Sequence, residues 1–255
     1  MTEKEKFILL SNTSMTGMTA CKILNGERLL TEKLNQAYLN DYKVTIKNYN
    51  LKIIEPRLNI FRAPKFLWSR GNGVITKPSV AIIGARKCTL YGKNIAYKLA
   101  YDLAERDIQI ISGLAYGVDI EAHRGALDAG GSTIAVLGSG ILNCYPSKHQ
   151  LEYDRILEKG LIISEYGFYQ KPLKHQFPFR NRLISGLCDV LVVVEAKEKS
   201  GTMITVNYGL DQGKVIMAVP GPIDSDLSKG TNRLISEGAR LVSSIEDILD
   251  ELKIV

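Results

Sequence analysis

SVAIIGARKCTLYGKNIAYKLAYDLAERDIQIISGLAYGVDIEAH, Ser79 to His123, decides the fold. It opens on a short β-branched run, Val80 to Ile83, and passes through a glycine-containing loop. A segment with Ile95, Leu99 and Leu103 spaced by four follows, beside Ala96, Ala100 and Ala104. That spacing predicts an amphipathic helix, with Asp102, Glu105 and Arg106 free to face water. A second apolar run, Ile108 to Ile111, completes a strand–helix–strand unit, and continuous apolar runs of this length read as strands buried on both faces.

The same alternation continues outward from this unit. Runs at Thr133–Leu137, Leu161–Ile163, Val190–Val194, Val215–Val219 and Arg240–Val242 are each separated by enough chain for a crossover helix. The expected fold is α/β, an extended Rossmann-like domain with a mostly parallel sheet over residues 79–255. Residues 1–78 differ in texture and are expected to form a small helical N-terminal region and connector. Within them Ile23, Leu30 and Leu34 fall at roughly helical spacing, and the proline- and glycine-marked stretch Leu51 to Pro78 suggests a hairpin. The last apolar positions, Ile245, Ile248, Leu249 and Leu252, predict a closing helix that packs on the core or across a subunit interface.

Composition narrows the function. The 255 residues carry 33 Lys plus Arg against 27 Asp plus Glu, a net charge of +6, with 45% hydrophobic and 24% charged residues. This is an ordinary folded chain with a mild basic excess, which favours a polyanionic partner only if the basic residues converge. No run approaches the roughly 18 apolar residues of a membrane helix, so the expectation is a cytoplasmic protein without a membrane partner. Cys21, Cys88, Cys144 and Cys188 are scattered singly, which suits reduced thiols and neither a zinc site nor a disulfide framework.

In an open parallel sheet, ligands collect where the strands end, so the strand-end loops carry the functional reading. After the first strand, Gly84 permits close backbone approach and Arg86 and Lys87 supply charge before a helix N-terminus, a combination suited to phosphate. It is not a P-loop, because Gly92–Lys93 is followed by Asn94, and not a dinucleotide fingerprint, because Arg86 stands two after Gly84. After the second strand, Ser112 and Gly113 can admit a phosphate. Asp119 and His123, four apart, share a helical face and read as a link closing the loop, since no nucleophile is specified beside them. Lys148 is placed near the start of a later helix and by itself is a solvated lysine.

Arg180, Asn181 and Arg182 follow Pro178 and are expected just before a short apolar helix. Two arginines at a helix start oppose the macrodipole, and a bound anion resolves that conflict. Ser200, Gly201 and Thr202 open another helix, where they serve either as anion donors or as simple caps. Pro220, Gly221 and Pro222, with Lys229, Gly230 and Thr231, form a further strand-end loop that can close the same rim. Phe177, Phe179 and Tyr145 can pack as core or stack on bases. No metal-ligand cluster, nucleophile elbow or pair of placed carboxylates is present in the sequence, so the edge reads as a phosphate-binding surface with no cofactor.

The runs SVAIIGAR, SGLAYGVDIEAHRGAL, TIAVLGSGI with YP, LIISE, FPFRNRLISGL, VVVEA with SGTMIT, and VPGPI with GTNRLISEGA stand in unbroken order from Ser79 to Val242. This series resembles the DNA-processing protein A (DprA, or Smf) family. The resemblance implies an extended Rossmann-like domain that binds and protects single-stranded DNA and loads the RecA recombinase onto it during natural transformation and recombination. It also implies that single-strand-binding protein is displaced or bypassed, and it implies a homodimer and no catalysis. The implied DNA contacts are Gly84, Arg86, Ser112, Gly113, Arg180, Asn181, Arg182, Ser200, Gly201 and Thr202, with Lys148 as a further basic position. The chain departs from the usual pattern at Ala85, where Ser is common, at His149, where Asn is common, and at Val206, where Ala is common. Two other readings of such a domain are a LOG-type nucleotide hydrolase, whose PGGxGT hallmark is absent because Pro220–Gly221 runs into Pro222, and a nucleotide-binding sensor.

Overall fold

In the computed structural model, which describes residues 2–12, 36–56 and 58–254, two helices come first, α1 (Glu3–Asn12) and α2 (Gln36–Asn48). The positions Ile23, Leu30 and Leu34 and the thiol of Cys21 lie outside the described residues. Strands β1 (Lys52–Ile54) and β2 (Leu67–Arg70) follow and pair antiparallel, which is the hairpin expected before Pro78. Then come β3 (Ser79–Ile83), α3 (Leu90–Ala104), β4 (Gln109–Ser112), α4 (Val118–Asp128) and β5 (Thr133–Val136). A single 3-10 turn (Ser147–His149) leads into α5 (Gln150–Lys159) and β6 (Leu161–Ser164). The chain continues through α6 (Gln176–Leu187), β7 (Val190–Val193), α7 (Gly201–Asp211) and β8 (Val215–Ala218). It closes with α8 (Asp226–Ser236), β9 (Arg240–Leu241) and α9 (Glu246–Leu252).

All five residues of β3 are buried, which requires cover on both faces of the sheet. Their side chains alternate between two layers. Val80 and Ile82 join Leu99 and Leu103 of α3, Ala122 of α4 and Ile248 of α9 on one face. Ala81 and Ile83 join Leu183 and Leu187 of α6, Val206 of α7 and Leu234 of α8 on the other. The closing helix therefore packs on the core, one of the two placements its apolar positions allowed.

The strand order is β1-β2-β6-β5-β4-β3-β7-β8-β9. From β6 across to β9 every pairing is parallel, while β2 joins β6 antiparallel. The sheet thus runs across the Pro78–Ser79 junction without a break. A third cluster holds the first part of the chain against it, with the Phe7 ring of α1 tilted 30° at 4.9 Å from Trp68 of β2, and Trp68 4.9 Å from Phe168. Trp68 is fully buried, and burial of a side chain that large contributes at least about 2 kcal/mol. The winding places β4, β5 and β6 on one side of β3 and β7, β8 and β9 on the other. The carboxyl end of β3 is therefore the point where the crossovers diverge and leave a crevice.

Candidate nucleic-acid interface

A cavity of about 780 Å³ opens at that crevice. One wall is the loop after β3, with Gly84, Ala85, Arg86 and Lys87. The floor is Asp119 and Arg180, and Phe177 and Asn181 of α6 rise beside them. The opposite wall is Lys197, the N-terminus of α7 at Ser200, Gly201 and Thr202, and the turn Ser225 to Leu227.

The β3 loop is held from behind by a residue that the reading of strand ends passed over. Glu195 ends the apolar run of β7 and is buried. Its backbone carbonyl accepts from Ala85 N–H (2.7 Å), and its carboxylate accepts from Thr89 N–H (2.8 Å) and Thr89 Oγ1 (2.5 Å). Thr89 Oγ1 in turn accepts from Gly92 N–H at 3.1 Å, the N-cap bond of α3. A carboxylate at a helix N-terminus is favoured by the macrodipole and by the unsatisfied N–H groups there. The signal for it in the sequence is an acid that closes an otherwise apolar strand. Gly84 sits where a Cβ would lie 2.5 Å from Val118 and 3.0 Å from Glu195 O, so a larger residue would push the loop off its support. With the backbone fixed, Arg86 and Lys87 are exposed at the rim, and the Arg86 guanidinium lies 5.3 Å from the Phe177 ring centre.

Arg180 is buried, and its Nη1 donates to Gly113 O (2.8 Å), just past the end of β4, and to Val136 O, the last carbonyl of β5. Gly113 N–H donates to Asp119 Oδ2 at 3.1 Å. A Cβ on Gly113 would stand 2.7 Å from the Arg180 guanidinium and 2.7 Å from the Asp119 carboxylate at once. Glycine is required there because charged groups of opposite sign close over its α-carbon. Burial lowers the Arg180 pKa to about 10, with the Asp119 carboxylate opposing that fall, so the guanidinium is cationic at neutral pH. Burial raises the Asp119 pKa, and Arg180 opposes the rise.

His123 lies one turn beyond Asp119. Its Nε2 accepts from Leu114 N–H at 3.3 Å and its Nδ1 meets Thr133 Oγ1 at 2.8 Å. Since Thr133 Oγ1 donates to Ile110 O (2.8 Å), the proton of His123 resides on Nδ1. His149 reaches the same loop from the far side, with Nδ1 at 2.9 Å from Leu114 O. Asp119, His123 and His149 thus bond the backbone of Gly113 and Leu114. The Asp–His pair is the link that closes the loop.

Not every expected contact faces the cavity. Helix α6 begins at Gln176, so Arg180, Asn181 and Arg182 lie within it and not ahead of it. Arg182 is 1% exposed and forms a bidentate pair with Glu165 (2.8 and 2.6 Å), with a third bond to Arg62 O (3.0 Å) and the Phe179 ring at 3.9 Å. It ties the chain before β2 to α6 and offers nothing to the cavity. Ser112 is buried and donates Oγ–H to Ile82 O at 2.7 Å, across the β3–β4 seam. Gly113 spends its N–H on Asp119. Lys148 is exposed in the 3-10 turn, outside the cavity lining. Nor do Lys229, Gly230 and Thr231 line the cavity; the turn before them does. Lys229 holds Asp226 at 2.6 Å, and Lys197 approaches the same carboxylate at 3.7 Å.

The residues that do converge are Gly84, Arg86, Arg180, Asn181, Ser200, Gly201 and Thr202. Ser200 is the N-cap of α7 but makes no side-chain capping bond, and its Oγ is enclosed without a partner among the described residues. Free N–H groups of a helix start, a spare hydroxyl, a buried guanidinium below and an exposed one at the rim form an anion-binding arrangement. Among the described residues no group of three or more His, Cys, Asp or Glu is placed to hold a metal ion.

The family model for DNA recombination-mediator protein A matches residues 47–253. The chain belongs to that family. It is 43% identical over 195 residues to the DNA processing protein DprA of Streptococcus pneumoniae, covering 76% of this chain and 69% of that protein. Its structure resembles the X-ray structure of DprA from S. pneumoniae with a TM-score of 0.82 at 34% identity, over 98% of both chains. It also resembles a DNA processing protein A from Helicobacter pylori, whose single-stranded DNA binding mode has been described (TM-score 0.74, 32% identity, 80% of this chain and 96% of that one). Two of the departures from the family pattern lie away from the cavity surface: His149 is buried on Leu114, and Val206 is fully buried in the α7 layer. The third, Ala85, lines the cavity and keeps the backbone bond to Glu195.

Proposed function

We propose that the cavity holds consecutive phosphates of single-stranded DNA, and that this DprA-family chain protects such strands and loads RecA onto them, displacing single-strand-binding protein. The observation that carries the reading is the pairing of a buried, backbone-anchored Arg180 with exposed Arg86 and Lys87 around the open N-terminus of α7. Phosphate contacts from Arg86, Lys87 and Lys197 over the Arg180 floor demand little of base identity. Arg182, Ser112 and Lys148 have no part in the cavity itself. The relatives named DprA support the reading, above all the H. pylori protein described for its single-stranded DNA binding mode. The reading assigns the protein no catalytic step, because Asp119 and His123 are committed to the Gly113–Leu114 backbone. A homodimer with two cavities would engage one strand twice and gain by effective concentration.

Fluorescence anisotropy of labelled oligo-dT, with equal-length duplex and AMP as competitors, tests this reading. Salt-sensitive binding that duplex and AMP fail to displace is expected. Displacement by AMP at low concentration would favour a nucleotide sensor instead. RecA filament formation on strands coated with single-strand-binding protein, with and without this protein, tests the loading step.

A further inference from the structure

The ring of Phe177, on the cavity wall, has a second neighbour besides Arg86. Tyr145 lies 5.5 Å from it, tilted by 40°, and remains 44% exposed outside the cavity. Three residues on, Lys148 is exposed and makes neither a hydrogen bond nor an ion pair among the described residues. Beside it the buried His149 ring stands edge-on to Tyr116, at 4.9 Å and 74°, and Tyr116 is 43% exposed. Tyr116 belongs to the loop whose Val118 N–H bonds Ala85 O (3.3 Å), so the path returns to the Arg86 loop. Neither tyrosine hydroxyl finds a hydrogen-bond partner among the described residues.

We propose that Tyr145 and Tyr116 form a base-stacking shelf that carries the strand out of the cavity, with Lys148 meeting its phosphate. The proposal rests on the single-stranded DNA reading above. Isolated exposed aromatic residues need no explanation. Here, however, each ring is braced by another ring, Tyr145 by the cavity residue Phe177 and Tyr116 by His149, and the exposed Lys148, without a partner among the described residues, adjoins His149 in the same turn. Every base has a π-face, so such a shelf tolerates any sequence. A duplex keeps its bases stacked inside, so the shelf adds to the preference for single strands. It also gives Lys148, left out of the cavity, a ligand.

The test uses the full chain and oligo-dT of about 6 and about 15 nucleotides, spanning the usual range of single-strand site sizes. Tyr116→Ala with Tyr145→Ala should bind the longer strand about 5- to 30-fold more weakly and the shorter one nearly as the parent does. Tyr116→Phe with Tyr145→Phe should restore binding of the longer strand, and with the parent protein 5-iodouracil in that strand should photo-crosslink to Tyr145 or Tyr116. Parent-like binding of both lengths by the alanine pair, or a loss that phenylalanine does not restore, would overturn the shelf while leaving the cavity reading intact. Failure of the parent to bind either length would overturn both.

Discussion

Arg86 is the residue whose removal separates binding from folding. It is exposed, pairs with no carboxylate among the described residues, and touches the Phe177 ring only through its charge. Arg86→Ala should therefore leave the thermal midpoint nearly unchanged while weakening oligo-dT binding. The slope of log affinity against log salt should flatten by about 0.7 for the one lost phosphate contact. Salt titration of the parent and variant checks this. Gly113→Ala is the opposite case. Its methyl group would meet the Arg180 guanidinium and the Asp119 carboxylate together, so it should lower stability in urea unfolding by about 2 kcal/mol or more, by overpacking and loosening of a buried pair, and lower affinity with it. Arg180 and Arg182 read alike in sequence because they adjoin in FPFRNR. Two residues apart on a helix they diverge by roughly 200°, so only one can face the cavity, and Glu165 claims the other. The divergence follows from helix geometry once both residues lie inside α6.

Helix α4 carries the clearest pH-dependent device. Burial, with the nearby His149 and Arg180 charges, lowers the His123 pKa to about 3, while in the unfolded chain it titrates near its ordinary 6.5. The folded state therefore refuses a proton that the unfolded state takes up. The contribution is fully present above about pH 6.5 and is lost as pH falls from there toward 3. Unfolding stability attributable to His123 should drop by about 2 kcal/mol between pH 7.5 and pH 5. Urea titrations of the parent and His123→Gln at both values check this; an equal drop in the variant would show that other groups carry it. The strands were legible because strands buried on both faces must be continuously apolar, and Val80–Ile83 or Val190–Val194 fit no solvent-facing element. The start of α6 was not, because Pro178 reads as a boundary in sequence yet is tolerated within the first turn, where its missing N–H leaves no bond unmade.

At the scale of the whole molecule, the winding order puts every anion-binding feature at one end of the sheet. The loops after β3 and β7 and the first turns of α6 and α7 meet at the divergence beside β3, and Glu195 and Arg180 fasten them from within. The convergence could be read from glycines and basic residues at strand ends, since that placement follows from a parallel sheet alone. The fastening could not, because Glu195 to Thr89 and Arg180 to Gly113 are contacts between distant segments that no local pattern announces. The same holds for Trp68, which seals β2 onto the sheet against Phe7 and Phe168. The most direct measurement is anisotropy of labelled oligo-dT with the full chain across a salt series, run beside Arg86→Ala. Tight binding with a slope near −3, for about four phosphate contacts, flattened in the variant and unmoved by duplex, is the predicted result. Binding that ignores both salt and Arg86, or no binding to single strands at all, would contradict it.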